Sequence, residues 1–219
     1  MTGHDAPGLI AEARRESAAA TRPNRFLDLL EAGQVPRERL IRLAGEECHI
    51  VGSDRRSFAL LASRYPTSPS GEMFLSLAQG EGRAFTFLLD FAAALGTSEK
   101  DLSRYEPQAA AQAYPAYLAQ RAAFGTAAEV ALAMLANLEE WGIYCGRAAE
   151  ALREHYGLDE AAVAFFRFFA EPVPGFEEQA TEVIAAGLAA GEDPRAVLRA
   201  ARLLHAYETM FWDSLAEGL

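Results

Sequence analysis

The chain has 219 residues, 51% of them hydrophobic and 23% charged, with a formal net charge of −11; this balance suits one large core-forming domain and excludes extensive disorder. The acidic excess argues against a nucleic-acid partner, because phosphate binding rests on Lys and Arg that release counterions. No basic leader with a following apolar run opens the sequence, and no apolar segment is long enough to span a bilayer, so the expectation is a cytoplasmic protein with no membrane partner.

No strand-type alternation persists, and the expected class is all-α, with residues 1–23 as an N-terminal extension bearing a short helix and 24–219 as a single helical domain. Residues 8–19 fit the short helix. Asn24 can cap a second one through Ala32, closed by Gly33. Pro36 suits the first turn of a long helix running to Tyr65, where Pro66 enforces the stop. Ser70 starts the next helix, carried by Phe74, Leu77, Glu81, Phe85, Leu88 and Phe91 and ended by Gly96. A short helix follows from Ser98, and another starts near Pro115 and ends at Gly125. Thr126 and Glu129 then form a capping box for a central helix to about Tyr156, with Gly157 behind it. Its apolar stripe reads Val130, Met134, Leu138, Trp141, Cys145, Ala148 and Leu152, with Asn137 at its edge. Asp159 can cap an aromatic helix over 161–170, whose Phe165, Phe166, Phe168 and Phe169 predict burial. A helix to Ala190 and a last one opened by Asp193 and Pro194 complete the chain. Cys48 and Cys145 sit within predicted helices without metal-type spacing and read as free thiols.

Carboxylates interrupt several apolar stripes. In the last helix Glu208 shares a face with Val197, Ala201, Leu204, Phe211 and Leu215. In the Pro36 helix Glu47 and Asp54 stand among Leu40, Leu43, Ile50, Phe58 and Leu61, and Glu81 repeats the pattern in the next. An unpaired buried charge costs several kcal/mol, so these acids are expected to share either a cavity or a set of arginines, with Arg55, Arg56, Arg64 and Arg83 as candidates. Glu46 and His49 have one Glu-x-x-His spacing of a di-iron bundle, and His205 with Glu208 gives the reverse order. The set is incomplete, and the expectation is no metal. There is no phosphate loop or nucleophile elbow.

Tyr114-Pro-Ala-Tyr-Leu118, the alanine-rich central helix, the aromatic helix at Phe165 to Phe169 and above all Tyr207-Glu208-Thr-Met-Phe211-Trp212-Asp213 resemble the TenA or thiaminase II family, over residues 24–218. The resemblance implies a heme-oxygenase-like multi-helical bundle, a homo-oligomer (dimer or tetramer), and a pocket for a small molecule. Thiaminase II enzymes cleave an aminopyrimidine compound with a cysteine of the central helix, a C-terminal glutamate and an early acid. Glu208 matches that glutamate and Tyr114 a pocket tyrosine, whereas the cysteine position corresponds to Asn137, which cannot act as a thiolate. The following tyrosine positions correspond to Trp141 and Phe169, and the early acid falls at Gly45, Glu46 or Glu47.

The resemblance thus implies a divergent TenA-like enzyme using carboxylate acid–base chemistry and no cofactor. Glu208 and Glu47 are the expected catalytic residues, with Asn137, Tyr114, Trp141, Glu81, Phe169 and Tyr207 binding substrate. Two alternatives stand beside it. One is a non-haem di-iron oxidase using Glu46, His49, Glu81, His205 and Glu208; the other is a non-catalytic ligand-binding or regulatory protein.

Overall fold

The computed structural model describes residues 5–219; the first four residues of the expected extension lie outside them. Every element among the described residues is helical. The order is α1 (Ala6–Ala20), α2 (Arg25–Glu31), α3 (Arg37–Arg64), α4 (Ser70–Ala94), α5 (Glu99–Leu102), α6 (Ala113–Phe124), α7 (Ala127–Tyr156), α8 (Ala164–Ala170), α9 (Phe176–Ala189) and α10 (Pro194–Ala216).

Local chemistry sets most of these boundaries. Asn24 Oδ1 accepts from the Leu27 amide at 3.2 Å, and Asp193 caps α10 by accepting from the Arg195 amide at 3.0 Å. At the start of α7 the Thr126 hydroxyl accepts from the Glu129 amide while the Glu129 carboxylate accepts from the Thr126 amide, so two otherwise orphaned donors are satisfied. The same helix stops at Gly157, whose φ of +67° is left-handed, a backbone shape that costs a glycine little. One boundary differs from expectation. Asp159 Oδ1 does accept from the Ala162 amide at 2.9 Å, but it closes only a turn, and the aromatic helix begins at Ala164.

Helix α7 is the axis of the bundle. It packs against α1, α2, α6, α8, α9 and α10, while α3 and α4 pair along their lengths and reach the rest through α6, α8, α9 and α10. The N-terminal helix α1 buries Leu9, Ile10 and Ala13 against α7, α9 and α10. Close approaches at glycine fix two of the contacts that matter below. A Cβ on Gly142 would stand 3.0 Å from the Phe169 carbonyl oxygen, and one on Gly45 would stand 2.5 Å from the Tyr105 ring. The first lets α8 lie against α7; the second seats Tyr105 on α3.

Candidate functional site

Between the α3–α4 pair and the α7–α10 pair lies a cavity of about 480 Å³, its mouth included. Helix α3 contributes Glu47, Ile50, Val51 and Asp54, α4 contributes Glu81, and α6 contributes Tyr114. From the other side come Met134, Asn137, Leu138 and Trp141 of α7, Phe169 of α8, and Glu208 and Phe211 of α10. Glu47 and Asp54 are one helical heptad apart, which keeps both on one face with Ile50 and Val51 between them.

The anomalous acids therefore share a cavity and not a set of arginines. Arg64 instead donates to the Ala122 carbonyl and stacks on Tyr65. The Arg83 guanidinium lies 5.5 Å from the Phe168 ring centre, and neither Arg55 nor Arg56 lines the cavity. Glu47 is 2% exposed and Asp54 3%, yet Glu47 Oε1 and Asp54 Oδ1 have no hydrogen-bond partner. Glu81 keeps more accessible surface because it faces the cavity interior.

Burial dominates the acid–base character of all four carboxyls. It pushes Glu47 well above the ordinary carboxylate range, and repulsion from Asp54, Glu208 and Glu46 adds to the effect. Glu81 is raised by burial and then by Asp54 and Glu47. Asp54 is raised by burial, opposed by its contact with the Tyr114 hydroxyl. Glu208 is pushed up to about 8, by burial first and by the Glu140 charge second, although Trp212 and Asn137 pull in the other direction. Burial thus favours the protonated form of all four carboxyls.

Glu208 is held at both oxygens. Asn137 Nδ2 donates to Oε2, and Trp212 Nε1 approaches Oε1 at 3.4 Å. The Tyr114 hydroxyl stands 3.5 Å from Asn137 Oδ1, a weak contact at the limit of hydrogen bonding. Trp141 meets Phe169 edge-on at 5.9 Å and Phe211 at 6.2 Å, so one wall is aromatic.

On its far side Glu208 also borders a smaller cavity with Thr21, Glu140, Tyr144 and His205. Glu140 accepts from the Tyr144 hydroxyl at 2.7 Å and from the Thr21 hydroxyl at 3.0 Å, and its Oε2 lies 2.8 Å from His205 Nδ1. Burial alone would raise Glu140, but the His205, Tyr144 and Thr21 contacts outweigh it and hold the carboxyl below its ordinary value. An ionised Glu140 next to a protonated Glu208 is the consequence.

Of the residues singled out from the sequence, Glu47, Glu81, Tyr114, Asn137, Trp141, Phe169 and Glu208 meet at this cavity. Tyr207 does not line it. One residue from Glu208 on a helix is a different face, and the Tyr207 ring packs on Tyr117 at 5.1 Å. The aromatic helix α8 is less buried than expected: Phe165 and Phe166 are fully enclosed, while Phe168 and Phe169 are only partly buried, Phe169 at the cavity wall. Asp54 was recognised as an acid on an apolar stripe but not as a site residue; its heptad spacing from Glu47 was the available signal. Glu140, Tyr144 and Thr21 gave none, since their meeting depends on α1 reaching α7.

The iron-ligand set is not assembled. Glu46 accepts from the Tyr105 hydroxyl at 2.8 Å, the Gln108 amide at 2.8 Å and Gln112 Nε2 at 2.7 Å, His49 Nε2 bonds to the Tyr105 carbonyl at 3.1 Å, and His205 is turned to Glu140. No group of three or more His, Cys, Asp or Glu among the described residues is placed to hold a metal. These donors do not fit an iron centre. No thiol lines the cavity either. Cys145 is fully buried and raised well above its ordinary value by burial and by the nearby Glu47 and Glu208, and Cys48 is raised by burial, so neither resembles an activated thiolate.

A helical bundle with a carboxylate-lined cavity at its centre defines the class: an all-α protein of the heme-oxygenase-like fold. The chain belongs to the TENA/THI-4/PQQC family, whose model matches residues 20–218. Among solved structures it is similar to a TenA homologue from P. horikoshii OT3, at 17% identity and a TM-score of 0.74 over 96% of this chain and 99% of that one. A domain of unknown function with a heme oxygenase-like fold from Shewanella denitrificans OS217 matches at 15% identity and a TM-score of 0.71, over 95% of this chain and 89% of the other. A candidate TenA-like thiaminase from Sulfolobus solfataricus P2 matches at 13% identity and 0.57, over 96% and 93%. At such identities the likeness speaks for the fold. Comparison with curated proteins gave no match. No helix among the described residues is long and apolar enough to cross a membrane.

Proposed function

We propose that the protein is a TenA-like small-molecule enzyme, divergent from thiaminase II, that replaces a cysteine nucleophile with carboxylate acid–base chemistry and uses no resident cofactor. The observation that carries this reading is Glu208, held by Asn137 and Trp212 at the wall of the central cavity and raised to about 8, with no thiol in the same wall. Near neutral pH such a carboxyl has a proton to give and can take one back, the property a general acid–base group needs. In a hydrolysis, the Glu208 proton passes to the departing atom as the bond breaks. The oxygen of water forms the new bond, its proton goes to the carboxylate that Glu208 has just become, and Glu47, the other acid expected to act, holds that water. Asn137 and Tyr114 orient the substrate, Trp141 and Phe169 supply aromatic contact, and Glu81 receives a donor group.

The test is turnover of aminopyrimidine compounds and of other aminated small molecules by wild type and by Glu208→Gln. The substitution is expected to lower kcat about 10²- to 10⁴-fold, the usual worth of a positioned acid–base group. Equal rates in the two proteins, or no turnover of any compound, would overturn the reading. Self-association, expected from the family resemblance, is part of the same proposal; sedimentation equilibrium checks it, and a monomer at all concentrations counts against it.

A further inference from the structure

Among the described residues, Glu208 is the one side chain that lines both the central cavity and the smaller one behind it, which measures about 310 Å³ with its mouth. Its two oxygens divide between them. Asn137, which holds Oε2, belongs to the central wall. Trp212, whose Nε1 stands 3.4 Å from Oε1, belongs to the second. At that distance the Trp212 contact is long for a hydrogen bond, so Oε1 keeps room for a shorter partner on the second-cavity side.

The second cavity differs from the first in its lining and its reach. Thr21, Asn24, Glu140, Tyr144, His205 and Thr209 make its wall polar, and at its rim the exposed side chains of Arg22 and Asp213 pair with each other. One donor inside it is unanswered. Asn24 is 8% exposed, its Oδ1 caps α2, and its Nδ2 has no partner. A buried amide donor without an acceptor is costly, and in a polar space such groups are met by bound water. Glu140 stands in the same wall, fixed there by the Tyr144 and Thr21 hydroxyls and by His205 Nδ1.

We propose that the second cavity is a proton entry to Glu208, in which water accepting from Asn24 Nδ2 links Glu140 and His205 to Glu208 Oε1. The inference rests on Glu208 being the acid–base group of the proposed enzyme, and it adds a step outside that reaction. Within the reaction the attacking water returns a proton to Glu208, so each cycle closes on itself. The first proton has another source. A substrate that fills the central cavity while Glu208 is ionised covers Oε2 and forms a dead complex unless a proton arrives from behind. Solvent gives a proton to Glu140, directly or by way of His205; Glu140 passes one to the water, and the water passes one to Oε1, leaving every relay group as it began. Glu140 is held low and Glu208 is raised, so this transfer runs downhill. A half-turn of the carboxyl about its terminal bond, a broad torsion, then presents the proton to the central cavity. Glu140 and His205 act through Glu208 and are positioning residues, since neither lines the central cavity.

Deuterium exchange of the full chain, followed by rapid-mixing infrared spectroscopy at a pH below the titration of Glu208, tests this without a substrate. The carbonyl stretch of protonated Glu208, assigned by its loss in Glu208→Gln, shifts when heavy water replaces the proton. Met134→Trp, or Ile50→Phe should the first variant fold poorly, fills the central cavity in place of a ligand. Exchange is expected to persist in the filled protein and to slow at least about tenfold when Glu140→Gln is added, with His205→Gln giving the same readout. In the unfilled protein Glu140→Gln should change the exchange little, because water then reaches Oε2 from the central side; a merely structural role would not make its effect depend on filling. A crystal structure should show water within hydrogen-bond reach of Asn24 Nδ2 and Glu208 Oε1. Exchange lost on filling alone, exchange in the filled protein indifferent to both substitutions, or no water at Oε1 would overturn the inference. If aminopyrimidines are turned over in a Glu208-dependent way while exchange ignores Glu140 and His205, the proton entry fails and the proposed enzyme stands. If exchange behaves as expected and Glu208→Gln leaves all turnover unchanged, the entry holds and the catalytic reading fails.

Discussion

Glu46 and Glu47 are consecutive residues of α3, of the same type and buried to nearly the same degree, 0% and 2% exposed, yet they lie in two different regions of the molecule. Glu46 points to the α5–α6 segment, where both its oxygens are used by Tyr105, Gln108 and Gln112. Glu47 points to the central cavity, where one oxygen has no donor and the cavity acids Asp54 and Glu208 repel its charge. A buried carboxyl with both oxygens engaged is structural support, whereas one left open in a cavity is destabilising by itself and stays open for something else. Burial alone does not separate the two; the partners do.

This contrast can be broken most directly by pH. Glu208 shares the cavity with Glu47. Above its ordinary value of 4.5 the unfolded carboxyl loses its proton, while the folded one keeps it up to about 8. The native state then binds more protons, so stability is whole below the unfolded value, declines across the window from 4.5 to about 8, and levels off beyond. At about 1.4 kcal/mol per pH unit this one group accounts for up to about 5 kcal/mol. Urea unfolding at pH 5 and pH 8 should show the protein weaker at pH 8, and Glu47→Gln, which removes a second acid raised by burial, should narrow the gap. A gap unchanged by that substitution would place Glu47 among the satisfied acids.

Next in size is Glu46→Ala, which strands three donors and should cost about 3 kcal/mol. Glu46→Gln should recover most of that loss, because an amide oxygen can still serve Tyr105 and Gln108. Equal loss in both variants would mean that the carboxylate charge and not the hydrogen bonds matters. Gly45→Ala tests the same region through its packing. A Cβ there would press 2.5 Å from the Tyr105 ring and should cost about 2 kcal/mol by overpacking, seen as a lower denaturation midpoint with ligand binding by the cavity retained. Smallest is Tyr207→Phe, outside both regions. Its ring already packs on Tyr117, so stability should move by less than about 0.5 kcal/mol and turnover not at all; a clear loss of turnover would return Tyr207 to the site.

The sequence determined the helical architecture by itself, because the signals are local. Thr126 with Glu129, Asn24, Asp193, Pro36 and Gly157 act within a turn of the backbone they cap or stop, and three- or four-residue spacing marks the buried face of each long helix. It also marked Glu47, Glu81, Asn137 and Glu208 as polar residues on apolar stripes, since a face is a property of one helix. What it left open was which of the two adjacent acids faces the cavity and whether arginines answer the acids. Those outcomes depend on how helices far apart in the chain are set against each other. Tyr105 lands on Glu46 only because Gly45 admits its ring, and Phe169 reaches Trp141 only because Gly142 lets α8 close on α7. Only the tertiary structure decides such contacts, because a side chain's partner is fixed by the position of another helix and not by its own neighbours in sequence.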